Sequence, residues 1–164
     1  MPLERRLRLL GNRVDTQPRP SLHVAFASSD RRHVDQHFGA ASGVVIYAVG
    51  PDCARLVEAA EFGTQARDGH ENKLAAKFAV LADCQAVYCN AVGASAVRRM
   101  VALGIQPCRV SPGTAIASLI EELQYKMGNQ PGGWLARALQ QEGRQQDGDH
   151  ANRFDAMAEE AWEP

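Results

Sequence analysis

The sequence lacks an excess of charge of one sign, a long apolar run and a paired cysteine motif. Its 18 Lys and Arg residues are balanced by 19 Asp and Glu residues, whereas nucleic-acid binding needs clustered positive charge, so we expect no nucleic-acid partner. No apolar run approaches the ~20 residues that span a bilayer, and the N-terminus lacks the continuous apolar region of a secretory signal. We therefore expect a cytoplasmic protein without a membrane partner.

None of the four cysteines forms a C-x-x-C pair, which excludes zinc-ribbon and thioredoxin-like motifs. A disulfide framework is also unusual in a cytosolic domain of this size. Cys53, Cys84 and Cys108 are expected to be small core or edge residues. Cys89 ends a predicted strand, and the residues alone leave open whether it is buried or binds a metal.

Charge is unevenly spread along the chain, although the net charge is −1. Residues 1–21 carry five Arg against two acids, and residues 143–164 carry two Arg against six acids. Pro18 and Pro20 disfavour helix just before the first apolar run. We predict a basic flexible arm over 1–21, one domain over 22–142, and an acidic linker with a short tail helix over 143–164.

Hydrophobic periodicity predicts the secondary structure of the central region. Apolar runs bounded by turn residues predict strands at 22–28, 43–49, 53–62, 85–90 and 105–110. Apolar residues at helical spacing predict helices at 71–83, 93–103, 112–127 and 134–141. Ser111 is the expected N-cap of the third helix because a proline follows it. Lys73 and Lys77 are expected on the surface of the first helix.

The element order βββαβαβα predicts an α/β fold. A hairpin meander followed by two right-handed crossovers is most economically arranged with the first strand in the middle. We expect a five-stranded mixed sheet in the order 3-2-1-4-5, with helices on its faces. This arrangement resembles a ribonuclease H-like core.

The polar residues of interest collect where the first and fourth predicted strands end. These strands are neighbours from which the chain departs in different directions, so a crevice is expected there. Three of the five histidines, His33, His37 and His70, lie in the segments that meet at this rim. Helices that begin after Gly93 and Ser111 aim backbone N–H groups at the same space, which favours an anionic ligand.

Hydrolytic chemistry is not supported by the residue pattern. A ribonuclease H-type nuclease needs a carboxylate on the first strand to hold its metal ions, and residues 22–28 contain none. Asp30 and Asp35 lie beyond that strand. The nucleophile elbow G-x-S-x-G of serine hydrolases is also missing from the sequence. We therefore expect a protein that is not an enzyme.

Soft-metal binding is the chemistry that remains, because imidazole suits iron and thiolate suits iron–sulfur clusters. The informative segment is 35–39. In it Gly39 permits a tight turn, Phe38 can anchor the loop on the core, and His37 is then turned outward. From the spacing alone, an ordinary loop histidine is the commoner interpretation of His37.

Five short motifs occur in order along the chain and carry a family resemblance. They are Val-Ala-Phe-Ala-Ser-Ser-Asp at 24–30, Val-Asp-Gln-His-Phe-Gly at 34–39, Asn-Lys-Leu-Ala-Ala-Lys at 72–77, Gly-Ala-Ser-Ala-Val-Arg at 93–98 and Arg-Phe-Asp-Ala-Met-Ala at 153–158. Together they resemble the NifX/NafY family of nitrogenase iron–molybdenum cofactor biosynthesis proteins. The resemblance implies a ribonuclease H-like fold without nuclease activity.

The resemblance also implies a cargo and partners. It implies that the chain binds FeMo-cofactor or its Fe–S precursor cluster (NifB-co type) and transfers it from the NifB-type enzyme that builds the core to the NifEN-type maturation scaffold. Carried over by position, the cluster-contacting histidine of the family falls on His37. The expected cofactor-binding residues, taken from this histidine and the rim, are His37, Ser29, Phe38, Gly39, Cys89, Asn90, Gly93 and Ser95, with His37 and Cys89 as metal ligands.

A second function stays open beside the carrier. NafY-type relatives act as non-enzymatic chaperones that bind cofactor-free dinitrogenase, and this chain has a polar-linked tail that could dock such a partner. Phe154 and Trp162 lie in rough helical register within that tail. Apo-dinitrogenase is therefore a further candidate partner.

Overall fold

The structure, a computed structural model, describes residues 3–8, 21–63 and 70–145. Its strands are β1 (Leu3–Arg8), β2 (Leu22–Ala27), β3 (His33–Val34), β4 (Gly43–Val49), β5 (Ala54–Phe62), β6 (Ala86–Cys89), β7 (Gln106–Arg109) and β8 (Thr114–Ala115). Its helices are α1 (His70–Val80), α2 (Ala94–Ala102), α3 (Ile116–Gly128) and α4 (133–145). The chain is thus of the α/β class, as expected.

Six of the strands form one mixed sheet in the order β1-β5-β4-β2-β6-β7. Strands β5, β4 and β2 make an antiparallel meander, whereas β2, β6 and β7 run parallel to one another. The sheet therefore changes from antiparallel to parallel pairing at β2. The short strands β3 and β8 pair with each other outside the large sheet.

Strand β2 is buried on both of its faces, with the side chain of His23 only half-buried. Ala25 belongs to the core cluster that contains Met100 of α2, on one face of the sheet. Phe26 belongs to the cluster that contains Leu119 of α3, on the other face. Successive strand residues point to opposite faces, so an apolar strand needs a cover on each side. The helices supply both covers, which confirms the prediction of helices on both faces.

The sheet gains an edge strand that the sequence analysis did not predict, so its strand order differs from the expected five-stranded order 3-2-1-4-5. Residues Leu3–Arg8 pair antiparallel with β5, and Leu7 lies opposite Ala59. Without this strand, β5 would present a row of unpaired backbone groups at the sheet edge. The expectation of a flexible arm is therefore wrong for these residues. Residues 9–20 and the tail beyond 145 lie outside the described residues, and the domain boundaries stay predictions.

The third helix begins later than predicted, at Ile116, and Ser111 is not its N-cap. The backbone oxygen of Ser111 instead accepts a bond from the Thr114 hydroxyl at 2.6 Å, which closes a turn. The N–H of Gly113 donates to the oxygen of Val34 at 3.0 Å, and β8 follows at once. Residues 113–115 thus use their backbone groups to pair with β3, and a helix there would lose those bonds.

Two helices differ in detail from the prediction. Lys77 of α1, expected on the surface, is 3% exposed and belongs to the interior. Helix α4 runs to residue 145 rather than ending at 141, so it crosses the predicted domain boundary. Within the described residues, no helix combines the length and apolar character needed to cross a bilayer.

Gly43 lies where the backbones at the end of β2 and the start of β4 approach each other closely. A Cβ at this position would lie 2.7 Å from the backbone oxygen of Ser28, which cannot move without disturbing the strand pairing. We expect Gly43→Ala to lower the free energy of unfolding by about 1–3 kcal/mol, measured by urea denaturation. Gly132→Ala is the matched control, because a Cβ there meets no atom within 4 Å. Equal midpoints for the two variants would contradict the close approach.

Candidate functional site

The loop after β2 is joined to the segment after β6 by backbone pairing beyond the end of the sheet. The N–H of Asn90 donates to the oxygen of Gln36 at 2.9 Å, and the N–H of Phe38 donates to the oxygen of Ala91 at 2.8 Å. The second of these bonds belongs to a parallel bridge between His37 and Ala91. His37 is therefore held beside the segment that leads directly into α2.

Phe38 anchors the loop on the core. Its side chain is fully buried and meets the ring of Phe78 of α1 edge-on, with 5.6 Å between ring centroids. The adjacent His37 is exposed. The structure thus has Phe38 inside and His37 at the surface, as the spacing of segment 35–39 predicts.

Lys77 holds the turn that follows His37 from the interior of the protein. The Nζ atom of this buried lysine donates to the backbone oxygens of Phe38 at 3.1 Å and Gly39 at 2.7 Å. It also lies 5.6 Å from the centroid of the Phe62 ring. Burying an amine is costly unless it is hydrogen-bonded, and the two carbonyl groups supply acceptors. Lys77 was not among the predicted site residues.

The N-terminus of α2 is open to a ligand. Gly93 is the N-cap and makes no side-chain capping bond, and the first turn contains no acidic residue. The N–H of Val97 donates to the Gly93 oxygen at 3.0 Å, so the N–H groups before it lack partners within the helix. Gly93 and Ser95 are exposed, and a Cβ on Gly93 or Gly39 would meet no atom within 4 Å. This end of α2 therefore carries the positive end of the helix dipole at an accessible surface.

The second helix N-terminus contributes less than expected. Its first residue, Ile116, donates its N–H to the oxygen of Arg32 at 2.9 Å. The loop between β2 and β3 therefore already uses one of the donors of α3. The expected helix start directly after Ser111 is wrong, and the first N–H group of α3 is bonded to Arg32 and not free for a ligand.

The polar residues that follow β2 mainly bond to one another. Ser29 donates from its N–H, at 2.8 Å, and from its hydroxyl to the carboxylate of Asp35. Asp30 accepts bonds from the N–H groups of Arg32 and His33, and lies 2.7 Å from His33 Nδ1. The bond to the His33 ring, followed by the backbone bonds, holds the pKa of Asp30 well below its usual range. These side chains shape the loop that carries His37.

Asn90 ties together the two segments that flank the rim. Its Nδ2 atom donates to the backbone oxygens of Val34 at 2.9 Å and Val110 at 3.2 Å. An amide with two backbone partners is well suited to hold loops in place. The structure therefore gives Asn90 a scaffolding contact, and cofactor binding by this residue stays a prediction.

Cys89 lies in the core rather than at the surface of the rim. Its side chain is 0% exposed, and it belongs to the same cluster as Phe38 and Met100. Burial raises the pKa of its thiol to about 11, so the thiol is protonated at neutral pH. Metal ligation needs the thiolate and an open path to the sulfur. Cys89 therefore does not have the setting of a metal ligand in this conformation.

The predicted residues thus differ in their exposure. Ser29, His37, Gly93 and Ser95 are exposed, Gly39 and Asn90 are half-buried, and Phe38 and Cys89 are fully buried. His70 begins α1, and its side chain lies outside the described residues. Among the described side chains, which do not include those of residues 70–73, no group of three or more His, Cys, Asp and Glu could enclose a metal ion. The site offers one imidazole next to a helix N-terminus, an arrangement that suits an anionic ligand held by few bonds.

The fold and this site define an α/β protein with one exposed imidazole beside a helix N-terminus, and comparison with known proteins identifies its family. The model of the dinitrogenase iron-molybdenum cofactor family matches residues 20–126, so the chain belongs to that family. It is 51% identical to protein NifX of Azotobacter vinelandii, with 87% of each chain covered. It is 34% identical to NifX of Klebsiella pneumoniae, with 87% of this chain and 85% of that one covered.

A further relative is a longer protein that matches this chain over part of its length. The chain is 32% identical to the FeMo cofactor biosynthesis protein NifB of Frankia alni over 99 residues, which cover 57% of this chain and 19% of that one. The matches to NifX proteins extend over most of the chain. The protein is therefore a member of the NifX family, as the motif resemblance predicts.

The cysteines differ in exposure, and we therefore predict that their thiols differ in reactivity. Cys53 is exposed, whereas burial raises the thiol pKa of Cys84 to about 12 and those of Cys89 and Cys108 to about 11. We expect a disulfide reagent at pH 8 to modify one thiol rapidly in the folded protein. Cys53→Ser should remove the rapid phase, and unfolding should expose the remaining thiols. A second rapid phase that disappears in Cys89→Ala would contradict the burial of Cys89.

Proposed function

We propose that the protein takes part in biosynthesis of the nitrogenase iron–molybdenum cofactor by binding the cofactor, or its Fe–S precursor cluster, as cargo. The observation that carries the proposal is the exposed His37, bridged through its backbone to Ala91 beside the uncapped N-terminus of α2. Membership of the dinitrogenase iron-molybdenum cofactor family supports the choice of cargo. The protein acts as a carrier and not as an enzyme.

The chemistry of the site suits reversible binding. Imidazole is a good ligand for iron, and the N–H groups at the start of α2 favour negative charge on the cargo. A single imidazole leaves the cluster free to depart, whereas several thiolates would hold it tightly. We leave Cys89 out of the proposed ligand set because its side chain is fully buried in the core. His37 is then the metal ligand that we propose for this chain.

The cluster moves, in this proposal, from a NifB-type enzyme that builds it to a NifEN-type scaffold that matures it, within the cytoplasm. Similarity to NifX proteins and to part of a FeMo cofactor biosynthesis protein NifB supports this position. We also propose a ribonuclease H-like core for the domain. The antiparallel meander of β5, β4 and β2, followed by parallel β6 and β7, supports that assignment.

Removal of the imidazole tests the proposed ligand. We expect His37→Ala to bind isolated precursor cluster at least about tenfold more weakly, because even the outer partners of metal ligands contribute about 10–100-fold to affinity. The measurement is an anaerobic titration of purified protein, followed by gel filtration of the coloured complex. His23→Ala, at the opposite end of β2, is the control and should bind as the wild type does. Unchanged affinity in His37→Ala would remove this residue from the account.

A charge placed at the start of α2 tests the contribution of the helix terminus. Ser95 is exposed in the first turn, where a carboxylate stabilises a helix by about 0.3–1 kcal/mol. Ser95→Glu should therefore keep or raise the melting temperature while weakening the binding of an anionic cluster. Ser95→Gln has nearly the shape of Ser95→Glu without the charge and should bind the cluster more tightly than Ser95→Glu does. Equal affinities for the two variants would show that the helix terminus takes no part.

A further inference from the structure

Lys77 is buried in the interior of α1, in a position that its charge would not suggest. It is 3% exposed, although a lysine is almost never fully buried unless it has polar partners. Its Nζ atom reaches 39 residues back along the chain to the backbone oxygen of Phe38 and 38 residues back to that of Gly39. The end of this side chain is therefore committed to the loop that carries His37.

The peptide groups next to His37 are fixed from two sides. On one side, the N–H of Phe38 is held by the oxygen of Ala91 at 2.8 Å. On the other side, the oxygen of Phe38 is held by Lys77 Nζ at 3.1 Å. The turn itself is closed by the N–H of Ala40, which donates to the oxygen of His37 at 3.2 Å. Removing Nζ would leave the bond from the Phe38 N–H to Ala91 in place and break the bond to the Phe38 oxygen.

We infer that Lys77 is a positioning residue that holds the turn of residues 37–40 so that the His37 imidazole is presented to the cargo beside α2. This inference rests on the proposed function, since it assigns Lys77 a role through His37. Lys77 makes this contribution without touching the cluster. Its buried position beneath the turn distinguishes it from the exposed Arg98 and Lys126, which could attract an anion by charge alone.

The first measurement needs no cargo. Lys77→Met keeps the apolar stem and removes Nζ, whereas Lys77→Arg retains hydrogen-bond donors. Hydrogen–deuterium exchange should become faster at the amides of Ala40 and Ala41 in Lys77→Met and recover in part in Lys77→Arg, while the amide of Phe38, which Ala91 holds, should exchange as in the wild type. Lys126→Met is the matched control, because Lys126 is an exposed lysine that pairs with Glu122 at 2.8 Å. It should leave the exchange of the turn unchanged.

The second measurement is cluster affinity in a double-mutant cycle. Lys77→Met should weaken binding roughly tenfold in the wild-type background, in the range found for partners that orient metal ligands. It should cause no further loss in the His37→Ala background, because it acts through that side chain. Lys77→Arg should recover part of the affinity. If Lys77→Met does not fold, Lys77→Gln, whose amide nitrogen ends one atom short of the Nζ position, replaces it in both measurements.

The outcomes separate this inference from the proposed function. Full affinity in Lys77→Met, or an equal loss in both backgrounds, would overturn the positioning role while leaving His37 as the ligand. Unchanged exchange at the turn would also overturn it. Full affinity in His37→Ala would instead overturn the proposed ligand, whatever the exchange measurement shows.

Discussion

The arrangement of the rim depends on one constraint, the backbone bridge between the loop after β2 and the segment after β6. Two hydrogen bonds, from Asn90 to Gln36 and from Phe38 to Ala91, continue the pairing of the two neighbouring strands past the end of the sheet. Because Phe38 is buried against Phe78, the preceding residue faces outward. The bridge thus fixes both the location and the direction of the His37 backbone. On a loop without backbone pairing, neither the location nor the direction of an exposed residue would be fixed.

The polar residues around the bridge are arranged so that the loop needs no regular secondary structure. Asn90 joins Val34 to Val110, and the Gln36 side chain accepts a bond from the N–H of Ser42 at 2.9 Å. Throughout the described residues, every buried side-chain nitrogen and oxygen has a hydrogen-bond partner. Such satisfied networks make a loop rigid. A carrier benefits from this, because a preformed site loses little entropy when it binds and few direct bonds have to break on release.

The sequence predicted the local elements better than the contacts between distant ones. Apolar runs bounded by turn residues were enough to predict the central strands, and the segment around Phe38 was enough to predict an anchored loop. Strand β1 could not be predicted from its own residues, because its pairing depends on the free edge of β5. The pairing of β8 with β3 likewise overrode the helix-start signal at Ser111. The burial of Lys77 could have been predicted from its position on the helix. It lies three residues after Leu74 and four before Leu81, on the buried side of the helix. Its charge instead led to the wrong prediction that the side chain is exposed to solvent.

The central claim is that an imidazole nitrogen of His37 binds the metal cluster directly. Pulsed electron paramagnetic resonance of the loaded protein, in a paramagnetic state of the cluster and with isotopically labelled histidine nitrogens, tests this most directly. The account predicts a hyperfine coupling to one labelled nitrogen that is present in the wild type and in His23→Ala and is lost in His37→Ala. A loaded protein with no histidine coupling, or with a coupling that persists after His37 is replaced, would contradict it.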